Sequence, residues 1–392
     1  MAVLPYDLLL KRGHVIDPAR DLSRILDVAV SGDKIARLAP DIPPEQAAKT
    51  VDAAGLYLTP GLIDLHMHVY LRARWSTLLP DDTALAAGTT TVCDAGTSGW
   101  RTFDDFHATI ARKSKTRVLA FLNIVGQGMR DGAAGESNEK DMDPAAAAAK
   151  VRRHPERIVG IKTAHYRPRG FAALERAVEA GRLSGTPVLA DNSILTGSGR
   201  ATERKLLEIM RPGDIHTHMY NDEQIELIDR ATGRVSPAAL EARKRGVLFD
   251  LGHGGGSFLW PVAVRAMEQG FPPDTISTDL HPGSVLLPQV SVPNCISKLM
   301  CLGMGLEDAI RRATVNPARA IHRFPELGTL GEGRVADIAV FQLRTGAFAF
   351  VDSRHYKRSG ARKLECVLTV RAGQVVYDRD GRSFPPWQTA GE

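Results

Sequence analysis

The sequence predicts an α/β protein, a (β/α)₈ barrel of the TIM type with a small β-sandwich domain formed by both chain termini. Three observations lead there. Between residues 58 and 329, short apolar runs alternate with helical stretches eight times. That alternation marks parallel βα units, and eight of them fit a closed barrel. The two ends, 1–57 and 330–392, read instead as short strands broken by turn residues. The polar residues able to do chemistry fall at the C-terminal ends of the strand-like runs, the face on which barrel enzymes carry their sites. A chain of 392 residues fits one large domain plus a smaller one.

At the N-terminal end Asp7-Leu8-Leu9-Leu10, Val15-Ile16-Asp17, Asp27-Val28-Ala29-Val30 and Lys34-Ile35-Ala36-Arg37-Leu38 are strand-like. Gly13, Pro18 and Pro40 interrupt them, and Ser31-Gly32-Asp33-Lys34 has the chemistry of a hairpin turn. At the C-terminal end Asp337-Ile338-Ala339-Val340-Phe341 and Cys366-Val367-Leu368-Thr369-Val370 are strand-like, and Arg371-Ala372-Gly373-Gln374 turns into Val375-Val376-Tyr377. The eight middle runs are 61–65, 90–94, 117–122, 158–162, 187–190, 214–218, 247–250 and 275–278. An open doubly wound sheet is disfavoured, because no G-x-G-x-x-G follows the first run.

Composition excludes several classes. The hydrophobic fraction is 43% and no run of 18 apolar residues occurs, so no membrane span is expected. Met1 to Leu10 lacks the charged start of a signal peptide, and a cytoplasmic location is expected. The net charge of +5 is scattered, without the basic blocks of a nucleic-acid arm. A basic surface favours anionic substrates. Cys93, Cys295, Cys301 and Cys366 form no C-x-x-C pair and are read as buried thiols.

The first run ends in Asp64-Leu65-His66-Met67-His68. Side chains two apart on a strand share a face, so His66 and His68 can reach one metal ion, and imidazole suits zinc and similar ions. The fourth run ends in Gly160-Ile161-Lys162-Thr163; such a lysine needs a partner or a lowered pKa, or reaches up to solvent. The sixth carries His216 and His218, also two apart. His218 is the preferred ligand there, and His216 a support or substitute ligand.

The seventh run leads into Gly252-His253-Gly254-Gly255-Gly256-Ser257. These glycines either present N–H groups to an anion or form a flexible barrel loop. No Gly-Lys-Ser/Thr follows, which excludes a Walker loop. His253 is read as a substrate contact. The eighth run ends in Ser277-Thr278-Asp279-Leu280-His281, where Asp279 is the candidate general acid/base, or else a helix N-cap before Pro282. Tyr70, Arg72, Arg74, Arg167 and Arg169 follow the first and fourth runs. Tyr70, Arg167 and His281 are taken as substrate contacts, since arginine suits carboxylates. A serine nucleophile is disfavoured: Gly96-Thr97-Ser98-Gly99-Trp100 misses the G-x-S-x-G spacing.

With these residues in view, the chain resembles the amidohydrolase superfamily. Thr59-Pro60-Gly61-Leu62-Ile63-Asp64-Leu65-His66-Met67-His68 is similar to its first-strand signature. Gly331-Glu332-Gly333-Arg334-Val335-Ala336-Asp337-Ile338-Ala339-Val340-Phe341 resembles its return into the small sandwich, and Ala313-Thr314-Val315-Asn316-Pro317-Ala318 the helix after the barrel. Gly252 to Phe258 and Ser277 to His281 resemble the dihydroorotase-like deacetylases, including an acetyl-(R)-mandelate esterase subgroup.

The resemblance implies that His66 and His68 bind a buried metal, that Lys162 is carbamated and bridges two ions, that His218 binds the outer ion, and that Asp279 is ligand and acid/base. It also implies a histidine after the fifth run, where this chain has Asp191. Either Asp191 ligates in its place, a harder ligand that extends the choice from zinc to manganese, or His216 or His165 compensates.

The expected activity is hydrolysis of an amide or ester bond in a small acylated carboxylic acid. A cyclic-amide hydrolase of the dihydroorotase or hydantoinase type is the alternative, and a non-catalytic barrel scaffold the third reading. The resemblance also implies a homo-oligomer.

Overall fold

The fold was analysed in a computed structural model, which describes residues 4–73, 78–191, 200–222, 227–286 and 289–389. Arg74 lies outside the described residues.

Strands from both chain ends join in one continuous eight-stranded sheet. They are β1 (Leu8–Asp17), β2 (Leu22–Ser31), β3 (Lys34–Ala39), β4 (Thr50–Asp52) and β5 (Tyr57–Pro60), and after the barrel β13, β14 and β15. The barrel strands between them are β6 (Leu62–Met67), β7 (Thr89–Gly99), β8 (Arg117–Asn123), β9 (Ile158–Thr163), β10 (Val188–Ala190), β11 (Ile215–His216) and β12 (Leu248–Phe249). The last three strands are β13 (Ile338–Val351), β14 (Lys357–Arg371) and β15 (Gln374–Asp378). The terminal sheet runs β15-β14-β13-β5-β1-β2-β3, with β4 on β1.

Two short runs of the sequence merge into β1, because a bulge at Lys11 and Arg12 (φ +62) absorbs the break without ending the strand. The hairpin forms at Ser31–Lys34 with Gly32 at φ +57. β5 passes into β6 through Gly61, so the sheet and the barrel share one continuous backbone path.

The barrel strands run parallel in the order β12-β11-β10-β9-β8-β7-β6. The eighth position is filled by residues 275–280, which close the ring without a regular strand. Leu251 N donates to Thr275 O at 3.0 Å and His68 N to Leu280 O at 3.0 Å. The regular ladder is broken there because side-chain hydroxyls take over the pairing. Thr275 and Ser277 donate to Asp250 at 2.6 Å each. Thr278 donates to Asp64 through both its hydroxyl, at 2.5 Å, and its backbone N–H, at 3.0 Å.

Ile63, Leu65, Cys93, Leu119, Phe121, Val159, Leu189 and Ile215 fill the barrel interior. A second apolar layer packs the opposite strand faces on the helices. Burial of this kind, at about 25 cal/mol per Å² of apolar surface, is the main force holding the barrel. The long β13–β14 hairpin reaches over the barrel. Its tip binds the segment after β12 through Ser353 N to Phe258 O at 2.9 Å and Trp260 N to Asp352 Oδ2 at 3.3 Å. Among the described residues no helix is long and apolar enough to cross a membrane.

Asp64 joins the first and eighth positions of the ring, since it also accepts from His66 N at 3.1 Å. Asp64→Ala leaves two amides and a buried hydroxyl without their acceptor, and should lower the folding free energy by about 2–4 kcal/mol, read as a lower urea midpoint. An unchanged midpoint would show that barrel closure does not depend on it.

Candidate metal centre

Above the apolar filling of the barrel, four strand ends and the closing segment place polar side chains around one cavity of about 180 Å³. It is lined by His68, Met129, His165, Asp191, His218, Asp279 and His281. His66 lies just beneath. Ligating atoms of His66, His218 and Asp279 all fall within 4.8 Å of one another. Asp279 Oδ1 stands 3.0 Å from His68 Nε2 and 3.5 Å from His66 Nε2. Asp191 Oδ2 is 3.2 Å from His218 Nε2 and 3.9 Å from Lys162 Nζ. Lys162 Nζ is 3.3 Å from His66 Nε2, and the whole lysine is buried.

The hydrogen-bond partners place the outer proton of two histidines. His218 Nδ1 lies 2.6 Å from Gly252 O, a carbonyl that can only accept, so Nδ1 carries a proton, and Nε2 faces the cavity with Asp191 Oδ2 at 3.2 Å. His66 Nδ1 lies 3.1 Å from Thr217 Oγ1. Thr217 spends its own proton on Asp250 Oδ2 at 2.8 Å, so it accepts from His66 Nδ1, and in the neutral ring His66 Nε2 is a lone pair. Outer hydrogen bonds of this kind orient metal-binding imidazoles.

Electrostatics differ between the two: at His218 burial opposes a charge, but Asp191 outweighs it and raises the pKa of the imidazole. Burial, with Lys162 beside it, holds His66 far below its usual pKa and therefore neutral. Burial opposes the charge on Asp191, but His218, Lys162 and His165 outweigh it and keep its carboxylate well below the usual range. Burial likewise opposes the charge on Asp279, and the imidazoles of His68 and His218 outweigh it. At the rim, burial works against a charged His165, yet Glu136 at 2.9 Å raises it to about 9. Two imidazoles and the carboxylate of Asp279 gathered together, with the ionised Asp191 beside His218, form a donor set for a divalent cation.

A larger cavity of about 970 Å³ opens beside Arg20, Arg319 and Arg334, near the N-terminal end of the barrel. It lacks this convergence of imidazoles and carboxylates, so the smaller cavity is the candidate site.

Comparison with known proteins gives the same direction. Residues 301–377 match the amidohydrolase family. A deacetylase of Agrobacterium fabrum is 30% identical over 344 residues, which span 83% of this chain and 81% of that protein. The chain belongs to the amidohydrolase superfamily. A deacetylase of Enterococcus faecalis is 28% identical over 96% of this chain and 100% of its own length. A crystal structure of an adenine deaminase superposes with a TM-score of 0.85 at 28% identity, covering 95% of this chain and 100% of that one. A dihydroorotase structure gives 0.82 at 26% identity, with 95% and 99% covered. This amidohydrolase is a hydrolytic enzyme on a TIM-type barrel.

Of the residues singled out in the sequence, the structure gathers His66, His68, Lys162, Asp191, His218 and Asp279, with His165 and His281 at the rim. It does not bring four others to the cavity. Tyr70 is buried in the outer layer, its hydroxyl donating to Asp105 at 2.6 Å and its ring edge-on to Phe106. His253 is wholly buried and bonds Lys298 and its neighbour's carbonyl, so it is not a substrate contact. Arg167 is exposed and outside the lining.

His216 packs on Phe249 in the layer under the helices, and neither of its ring nitrogens has a hydrogen-bond partner among the described residues. The expected shared face of His216 and His218 fails because the strand ends at His216. Thr217 takes the inward position, and His218, at φ +63, turns its ring in by a left-handed backbone.

The sequence reading missed Thr217 and Asp250, which orient His66, and Glu136, which fixes His165. Thr217 lies between the two histidines of one run, but hydroxyl partners have no sequence motif. Glu136 comes from the loop after β8, far from any motif.

Gly96 makes room for Lys162. At φ +80, a Cβ there would stand 2.5 Å from Lys162 Cγ and 2.7 Å from its Cβ. Gly96→Ala should therefore push Lys162 aside and cut hydrolysis by about 100-fold. Full activity in the variant would show that the position of Lys162 is not required.

Proposed function

We propose that this amidohydrolase is a metal-dependent deacylase, cleaving the amide or ester bond of a small acylated carboxylic acid. His66, His68, Lys162, Asp191, His218 and Asp279 hold one or two divalent ions, zinc or manganese. The observation that carries the reading is the convergence of the Nε2 atoms of His66 and His218 with the carboxylates of Asp191 and Asp279 around a buried lysine.

In this reading Lys162 carries a carbamate. An ammonium would repel a divalent ion, whereas a carbamate offers it two oxygens. The pair of Asp191 and Lys162 stands where such an ion would need neutralising charge. The carboxylate of Asp191, harder than an imidazole, accommodates manganese as well as zinc.

A bound ion polarises the scissile carbonyl and lowers the pKa of water at the site. Asp279 takes the proton of the attacking water at its carboxylate, which the surrounding histidines keep ionised, and later delivers it to the leaving amine or alcohol. His165, fixed by Glu136, and His281 present the rim to the substrate carboxylate. His281 is itself fixed, since Gly283 N donates to its Nδ1 at 3.1 Å. Barrel closure around a buried site limits competing water.

The deacetylase relatives support an open-chain acyl substrate, since they align with most of the chain. The dihydroorotase structure at a TM-score of 0.82 favours the second reading, a cyclic-amide hydrolase. A panel of N-acetyl amino acids, O-acetyl hydroxy acids, dihydroorotate and hydantoins separates them. Acetate release is expected; ring opening alone would establish the second reading, and no turnover of any by metal-loaded protein would overturn both.

Asp279→Asn should lower kcat by about 10²- to 10⁴-fold with KM little changed, when metal content is measured alongside. Near-parental kcat at equal metal content would remove Asp279 from its role.

A further inference from the structure

We infer that the buried Lys298–His253 pair is a positioning device, which fixes the Gly252-His253-Gly254 backbone against His218 and Asp279. The inference rests on the metal-centre reading proposed above.

The two glycines touch the site directly. Gly252 O accepts the Nδ1 proton of His218 at 2.6 Å, and a Cβ on Gly252 would lie 2.8 Å from that nitrogen and 2.2 Å from Thr217 Oγ1. A Cβ on Gly254 would lie 2.2 Å from Asp279 Oδ2. Both have positive φ, +47 and +50, so glycine is demanded by backbone and by space together. The glycines that looked like an anion-binding loop are needed because two site residues press against this backbone.

His253 lies between them and faces away from the cavity. Its ring stacks on Phe258 with centroids 4.7 Å apart and planes 9° apart. Its Nδ1 lies 2.9 Å from Gly254 O, which only accepts, so Nδ1 carries the proton. Nε2 is then an acceptor, and Lys298 Nζ donates to it at 2.6 Å. Lys298 comes from the helix Val292–Met300, is fully buried, and makes no ion pair with a carboxylate among the described residues. His253 Nε2 is the one hydrogen-bond acceptor found for its ammonium among those residues, while the Phe258 ring lies 5.4 Å below. A buried lysine kept for so few contacts needs a reason, and packing alone would be met by methionine.

The chain of contacts is therefore Lys298 to His253, His253 to Gly254, and the two flanking glycines to Asp279 and His218. Neither Lys298 nor His253 touches substrate; both act through the backbone between them.

The test uses full-length Lys298→Met and His253→Phe, with His253→Gln as the conservative variant. Hydrogen–deuterium exchange over residues 250–258 and zinc affinity by chelator competition are measured, with kcat and KM on the best acyl substrate. We expect faster exchange confined to this segment in Lys298→Met and His253→Phe. We also expect zinc affinity to be about 10- to 100-fold weaker, as when an outer support of a metal ligand is lost. In addition kcat should fall with KM within about two-fold, and His253→Gln should recover part of each effect.

Unchanged exchange over 250–258, or exchange raised equally throughout the barrel, would overturn the inference. If Lys298→Met does not fold, His253→Gln against His253→Phe decides it by the same readouts. If the parent protein binds no metal, the metal-centre reading fails, and the exchange result still decides whether the pair fixes the loop.

Discussion

Two buried carboxylates beneath the site hold its geometry. Asp64 and Asp250 are wholly buried and together accept from Thr217, Thr275, Ser277, Thr278 and the backbone of His66. Burial raises Asp64 to about 7 against the pull of its hydrogen bonds, a measure of what dehydrating a carboxylate costs. The return is positional. Asp64 locks the first strand end, with His66 and His68, to the segment that carries Asp279. Asp250 locks the sixth position, through Thr217, to the same segment. Residues that hold one ion from different strands must agree in place to fractions of an ångström, and shared hydroxyl partners enforce that agreement.

The same partners set proton positions. His66 and His218 each have their outer nitrogen committed, one to a hydroxyl whose proton is spent elsewhere and one to a carbonyl. That leaves His66 Nε2 a lone pair and turns His218 Nε2 toward Asp191, 3.2 Å away. Such preorganisation avoids a rearrangement on binding. The left-handed backbones of His218 and Asp279, φ +63 and +48, are part of that cost, since non-glycine residues rarely adopt them.

Much of this was legible in the sequence. The alternation of apolar runs and helices specified the barrel, because a parallel strand buried on both faces must be apolar along its length. His66, His68, Lys162, Asp191, His218 and Asp279 could be singled out because active-face residues follow strand ends. Reading failed where the chain leaves the regular strand. The two-residue alternation put His216 beside His218, but it does not hold past a left-handed residue. Tyr70 and His253 looked like mouth residues from their place in the chain, yet a buried tyrosine takes any nearby carboxylate as partner, here Asp105. The eighth strand was found at the right place but pairs through hydroxyls, which periodicity cannot register. Glu136 and Lys298 are brought to their partners by tertiary packing alone.

The central claim is that six side chains from four strand ends and the closing segment form one divalent-ion centre. It is tested most directly by the metal content per chain of protein purified without chelator, measured by inductively coupled plasma mass spectrometry. One or two ions per chain is the result this account predicts, two making Asp191 a working ligand at the outer position. No bound ion, and no uptake of zinc or manganese when either is added, would contradict it.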